Sequence, residues 1–182
     1  EIKKRRVPIC TRRGSWCILL HGFRETRRKK GKTGVFARKT DRERDRTEMK
    51  IIIAGDGKVG LALTRLLSEE GHYLVTIDTN REVLERSAQL YDVMAVVGNC
   101  ATMATLREAN VEQADLLIAA TSADEINLLC CLTARKLNPS LHTIARVRSP
   151  EYLEQLYLMR EDFGLSMLIN PEREAAKSVA RR

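Results

Sequence analysis

The stretch EMKIIIAGDGKVGLALTRLL, residues 48–67, decides how the chain is read. A short apolar run, KIIIA at 50–54, leads straight into GDGKVG, and an amphipathic stretch follows at once. A lone G-x-G-x-x-G says little. Placed directly after a strand and at the opening of a helix, it is a phosphate-loop signature. Each glycine has its own reason. Gly55 permits the tight turn, Gly57 leaves the backbone bare for a pyrophosphate, and Gly60 lets the helix lie close to the strand. The uncapped N–H groups at the helix start, helped by the helix dipole, would face the phosphates. The competing reading, a glycine turn that binds nothing, does not explain why strand and helix flank it on both sides.

Outward from that loop, short apolar runs alternate with amphipathic stretches. Strands are expected at 50–54, 73–78, 93–98, 115–121, 142–147 and 165–170. Helices are expected at 58–71, 80–91, 102–110, 123–138 and 149–159, with one more opening at Pro171. Gly71 and Pro139 stop two of them, and Pro150 sits near the first turn of another. Continuous apolar strands alternating with helices make a parallel sheet covered on both faces. The expected fold class is therefore α/β, a doubly wound, Rossmann-like sheet of NAD-binding type.

A second element supports the loop. Asp78 ends the second strand, 18 residues after Gly60. A carboxylate there accepts hydrogen bonds from ribose hydroxyls and repels a 2′-phosphate, which favours NAD(H) over NADP(H). Its competing role is to cap the next helix through DTN at 78–80. The other loops at the carboxyl ends of strands should line the same crevice. Asn99 and Cys100 follow strand three, where an adenine would rest. Thr121 and Ser122 follow strand four, facing the pyrophosphate and second ribose, with helix capping as the alternative. Arg146, at the end of strand five, could reach phosphate or form a surface ion pair.

Charge is divided unevenly. The chain of 182 residues carries a formal +8. Residues 1–48 hold 17 Lys/Arg against 6 Asp/Glu, a net of +11, which leaves 15 against 18, or −3, for residues 49–182. The extension has too few apolar residues to offset the entropy of ordering. It is expected to be disordered, with a transient helix near TDRERDRTE at 40–48. Because Met49 stands directly before the first strand, the segment reads as a translated upstream region or mis-set start. The rival reading is a functional tail that holds nucleic acid or anionic lipid electrostatically. GKT at 31–33 is not a Walker loop, since Thr26 occupies the position of its first glycine.

Other chemistries are poorly supported. The five cysteines show no C-x-x-C spacing, so neither a metal site nor a disulfide framework is expected. A dehydrogenase needs a proton donor, often His, beside the nicotinamide. His21 lies in the extension, and His72 and His142 begin strands, on the far side of the sheet from the loops. No carboxylate pair with a catalytic partner and no G-x-S-x-G elbow is seen. Tyr73, Tyr91, Tyr152, Tyr157 and Phe163 are dispersed, which makes no stacking platform for nucleic acid.

Three segments together carry a family resemblance: MKIIIAGDGKVGLALTRLLSEEGHYLVTIDTN (49–80), VVGNCATMATLREANVEQADLLIAATSADEINLLCCLTARKL (96–137) and TIARVRSPEY (143–152). They resemble the RCK, or KTN, family, the TrkA-N regulatory domains of potassium uptake. The resemblance runs from Met49 to about Glu174, leaving 175–182 as the start of a truncated C-terminal continuation. It implies a cytosolic, non-enzymatic regulatory subunit, peripheral on the inner face of the membrane. It implies NAD(H) as ligand, with ATP or ADP as rivals. It implies a homo-oligomer, a dimer or ring, docked on a membrane potassium transporter of the TrkH or TrkG type. No nucleic acid partner is expected. Carried onto this chain, the nucleotide contacts are Gly55, Asp56, Gly57, Lys58 and Val59 of the loop, then Asp78, Asn99, Thr121, Ser122 and Arg146. The functional alternative is a fragment of an NAD-dependent oxidoreductase lacking its substrate domain.

Overall fold

The computed structural model describes residues 48–159 and 162–170. The expected disorder of the basic extension, nearly all of the helix at 40–48, the helix opening at Pro171 and the continuation at 175–182 lie outside them.

Among the described residues, six strands follow in the order of the sequence reading. β1 is Lys50–Ala54, β2 Tyr73–Asp78, β3 Val93–Val97, β4 Leu116–Ala119, β5 His142–Arg146 and β6 Met167–Ile169. They form one sheet, in the order β3-β2-β1-β4-β5-β6, and every pairing is parallel. Ile52 of β1 lies opposite Val75 on one side and Leu117 on the other. The helices are α1 Lys58–Glu69, α2 Arg81–Leu90, α3 Met103–Glu108, α4 Asp124–Leu137 and α5 Pro150–Met159.

Burial explains the apolar runs. Ile51, Ile52, Ile53 and Ala54 are all buried, so both faces of β1 are covered. On one face Ile52, Ile77 and Leu117 join Leu106, Cys130, Cys131 and Ala134 of α3 and α4. On the other, α1 and α2 pack over β1 and β2, burying Leu63, Leu67 and Leu84. β3 is an edge strand, and only Val96 in it is buried. Gly71 ends α1 with a positive φ of 79°, the stop that its identity suggests.

One expected helix is not continuous. Residues 102–110 give only α3, because Asn110 enters the left-handed region at φ 55°. A single 3₁₀ turn, Val111–Gln113, then leads into β4. Asn tolerates this backbone because its short polar side chain can hydrogen-bond locally. That makes it a helix stop that a periodicity argument passes over.

Candidate nucleotide site

β1 pairs with β2 on one side and β4 on the other, so the strand order reverses between β1 and β4. In an open parallel sheet this reversal opens a crevice at the carboxyl edge. The loops after β1 and β4 meet there. A Cβ on Gly55, whose φ is +92°, would lie 2.7 Å from the Thr121 nitrogen. A Cβ on Gly60 would lie 1.9 Å from the Gly55 carbonyl oxygen. At Gly57, the N-cap of α1, a Cβ would meet no atom within 4 Å. No side chain caps α1 there, and its first turn holds no acid. Lys58 is exposed and Val59 half-buried at the same helix start.

Asp78 reaches across to this loop. Its Oδ2 accepts the Asp56 N–H at 2.8 Å, and its Oδ1 accepts the Asn80 N–H at 2.9 Å. Asn80, not Asp78, caps α2, its Oδ1 accepting the Glu82 N–H at 3.0 Å. A carboxylate has roughly four acceptor positions, so the two bonds leave capacity for ribose hydroxyls.

The Asp56 side chain turns the other way. It is 1% exposed, and Oδ2 accepts the Ser87 hydroxyl of α2 while Oδ1 has no partner. Burial pushes its pKa above the ordinary carboxylate value, and the Ser87 hydrogen bond opposes that.

The loop after β3 satisfies much of its own polar chain. Asn99 is exposed, and its Oδ1 accepts the Ala101 N–H at 2.9 Å. Thr102 caps α3 by accepting the Thr105 N–H. Cys100 is buried in the core beside Cys130. The hydrogen bond between these thiols holds the Cys100 pKa below its ordinary value and pushes that of Cys130 up.

At the ends of β4 and β5, side chains the sequence reading passed over hold the wall. Asn127 of α4 is fully buried, and its Oδ1 accepts both the Thr121 N–H at 2.8 Å and the Thr121 hydroxyl at 2.7 Å. Its Nδ2 donates to the Arg146 carbonyl at 2.9 Å and to the Thr121 carbonyl at 3.3 Å. Arg146 Nη1 also donates to the Thr121 carbonyl at 3.3 Å. Asp124 Oδ2 accepts the N–H groups of Arg148 and Ser149 at 2.8 and 2.9 Å. The Arg148 guanidinium donates to the Ser122 carbonyl and lies 3.6 Å from Asp124 Oδ1. Ser122 is exposed, and Ala123 is the N-cap of α4 without a side-chain cap. Acids and amides in ADEIN at 123–127 look like an ordinary helix start; only their i, i+3 spacing at a strand end hints at this work.

The two described histidines make contacts within the fold. His72 Nδ1 accepts the Met49 N–H at 3.3 Å, and His142 Nδ1 lies 3.5 Å from Ser166 Oγ, both at the amino edge.

Residues 51–171 match the TrkA-N domain. The chain belongs to the TrkA-N family. A Trk system potassium uptake protein TrkA homolog from Archaeoglobus fulgidus is 39% identical over 133 residues, 73% of this chain and 30% of that protein. Two further homologs of that name are spanned over 57% and 59% of their length, so the chain corresponds to a part of these relatives. Among solved structures, the TrkA-N domain of the inner membrane protein ybaL from Escherichia coli aligns with TM-score 0.65 at 26% identity. It covers 72% of this chain and 94% of that one. The Kef CTD of Shewanella denitrificans in AMP-bound form aligns with TM-score 0.61 at 25% identity, covering 71% of this chain and 76% of that one.

Proposed function

We propose that this TrkA-N domain binds NAD(H) in the crevice between the β1 and β4 loops and acts as a nucleotide-sensing regulatory domain of potassium uptake. The observation that carries the reading is Asp78. One carboxylate braces the glycine loop through Asp56 N–H and stands at the end of β2 where a ribose would lie. The bare Gly57 beside it leaves room for pyrophosphate. Membership of the TrkA-N family and the potassium-uptake relatives support the regulatory role.

In this reading the domain works on the cytoplasmic face, in a homo-oligomer, and gates a membrane potassium transporter of the TrkH or TrkG type. Among the described residues no helix is long and apolar enough to cross a membrane, so the pore would be the partner's. Nucleotide then acts only through its differential affinity for two conformations of the assembly. The domain performs no reaction. The two described histidines lie at the edge opposite the crevice, which speaks against the oxidoreductase alternative. Adenine mononucleotides are the second reading for the ligand, favoured by the AMP-bound Kef neighbour.

The test is calorimetric titration of the full chain with NADH and NADPH, repeated on Asp78→Asn. NADH should bind at least about tenfold tighter than NADPH, as expected when a carboxylate faces a 2′-phosphate. The substitution should narrow that gap. Equal affinities in the unmodified chain would refute the ribose role of Asp78.

A further inference from the structure

The crevice has two halves built by different means. The half over β1, β2 and β3 is held by the glycine loop and Asp78, through Asp56 N–H and through Gly55 N–H donating to the Ile77 carbonyl at 2.7 Å. The half over β4 and β5 lacks such a loop. Its ladder ends at the pair Ala119 and Ala145. Beyond that pair the two chain ends are joined by Asn127.

A primary amide has two donor hydrogens and two acceptor positions on its oxygen. Asn127 uses all four. Thr121 occupies three of them, through its N–H, hydroxyl and carbonyl, and the Arg146 carbonyl takes the fourth. The side chain is 0% exposed, so no water can replace a lost bond without entering the core. Three residues earlier, Asp124 fixes the next part of the β5 loop through the N–H groups of Arg148 and Ser149. The first turn of α4 thereby sets where Thr121, Ser122, Arg146 and Arg148 stand. None of these contacts reaches Asp78.

We propose that Asn127 is a positioning residue that determines ligand specificity: it builds the second mononucleotide half of the crevice and so sets the advantage of a dinucleotide over AMP. This rests on the nucleotide-binding reading above. AMP fills only the half held by the glycine loop and Asp78. NADH spans both halves and depends on the Thr121 and Arg146 backbone being held in place. Asn127→Leu keeps the branched outline of the side chain, though it is bulkier, and removes all four bonds. Asn127→Asp keeps the acceptor oxygen for the Thr121 N–H, loses the donors and, when ionised, places a negative charge against two carbonyl oxygens. Protonation at low pH restores one donor.

The experiment titrates AMP and NADH into the full chain as the unmodified protein, Asn127→Leu and Asn127→Asp, with thermal melts of each. In the unmodified protein NADH should bind tighter than AMP. Asn127→Leu should weaken NADH about tenfold or more, as expected for a broken buried network, and change AMP less than about threefold. If Asn127→Leu does not fold, Asn127→Asp decides. Its NADH affinity should recover as pH falls while its AMP affinity stays level, a profile that general loosening of the domain would not produce. Equal losses for AMP and NADH, or NADH no tighter than AMP in the unmodified protein, would overturn the proposal and leave nucleotide binding standing. Binding of neither ligand by the unmodified protein would overturn both.

Discussion

Gly60 and Gly57 sit three residues apart in one motif, yet the structure assigns them opposite sensitivities to the same added methyl group. A Cβ at Gly60 would stand 1.9 Å from the Gly55 carbonyl oxygen and 2.9 Å from its carbon. To reach even 3.0 Å, below which real Cβ contacts essentially do not occur, loop and helix must part by 1.1 Å, the difference from 1.9 Å. Neither can yield easily. Gly55 is held by its 2.7 Å bond to the Ile77 carbonyl and by its closeness to the Thr121 backbone, and α1 is held by buried Leu63 and Leu67. Overpacking in well-packed interiors costs about 1–3 kcal/mol, and a backbone clash of this depth belongs at about 3 or above. For a domain of this size that is a fall in Tm on the order of 10 °C.

Gly57 has an ordinary extended backbone, φ −70° and ψ −161°, and open space where its Cβ would be. Gly57→Ala should therefore leave Tm unchanged or raise it, since restricting the unfolded chain is worth ~0.4–1 kcal/mol. In the proposed site the same methyl would occupy the face offered to the pyrophosphate, so NADH affinity should fall. Calorimetric melts and NADH titrations of both variants make the check. A Gly60→Ala protein that melts with the unmodified chain would show that α1 does not approach the loop as described. A Gly57→Ala protein that binds NADH normally would remove the pyrophosphate from that face.

Three other outcomes are expected. The folded Asp56 pKa is raised mainly by burial, so the native state holds its proton to higher pH than the unfolded chain. Stability attributable to Asp56 should thus fall as pH rises from the unfolded pKa through the raised folded one, and Asp56→Asn should flatten that slope; urea midpoints from acid to neutral pH measure it, and a parallel slope in the variant would count against a buried carboxyl. Asn110, at φ 55°, should tolerate Gly but lose about 1 kcal/mol on replacement by Ala, read from denaturant midpoints. Cys130 and Cys131 are fully buried, with thiol pKa values pushed up, so mass-mapped alkylation should reach them only on unfolding.

What the chain reveals by itself is local in origin. An apolar run, a glycine triad and a helix adjoin in sequence, so KIIIAGDGKVG announces strand, loop and helix without help from distant residues. The place of Asp78 beside the loop was legible for a related reason, because one strand–helix–strand unit fixes its distance from the loop. The six strands followed from the same periodicity, although the stop at Asn110 did not, since a left-handed asparagine leaves no mark on an apolar pattern. Partnerships across the fold were hidden. Asp56 stands between the first two glycines of the motif, but its carboxyl turns to Ser87, 31 residues away. Cys100 lies in the loop after β3 and yet is buried against Cys130. Asn127 and Asp124 read as plain helix residues until the parallel pairing of β4 with β5 brings the Arg146 and Arg148 backbone beside them. Short-range steric and hydrophobic rules therefore determined the elements and the first half of the crevice. The second half was decided by which buried polar groups found partners, and burial exists only once the sheet has assembled.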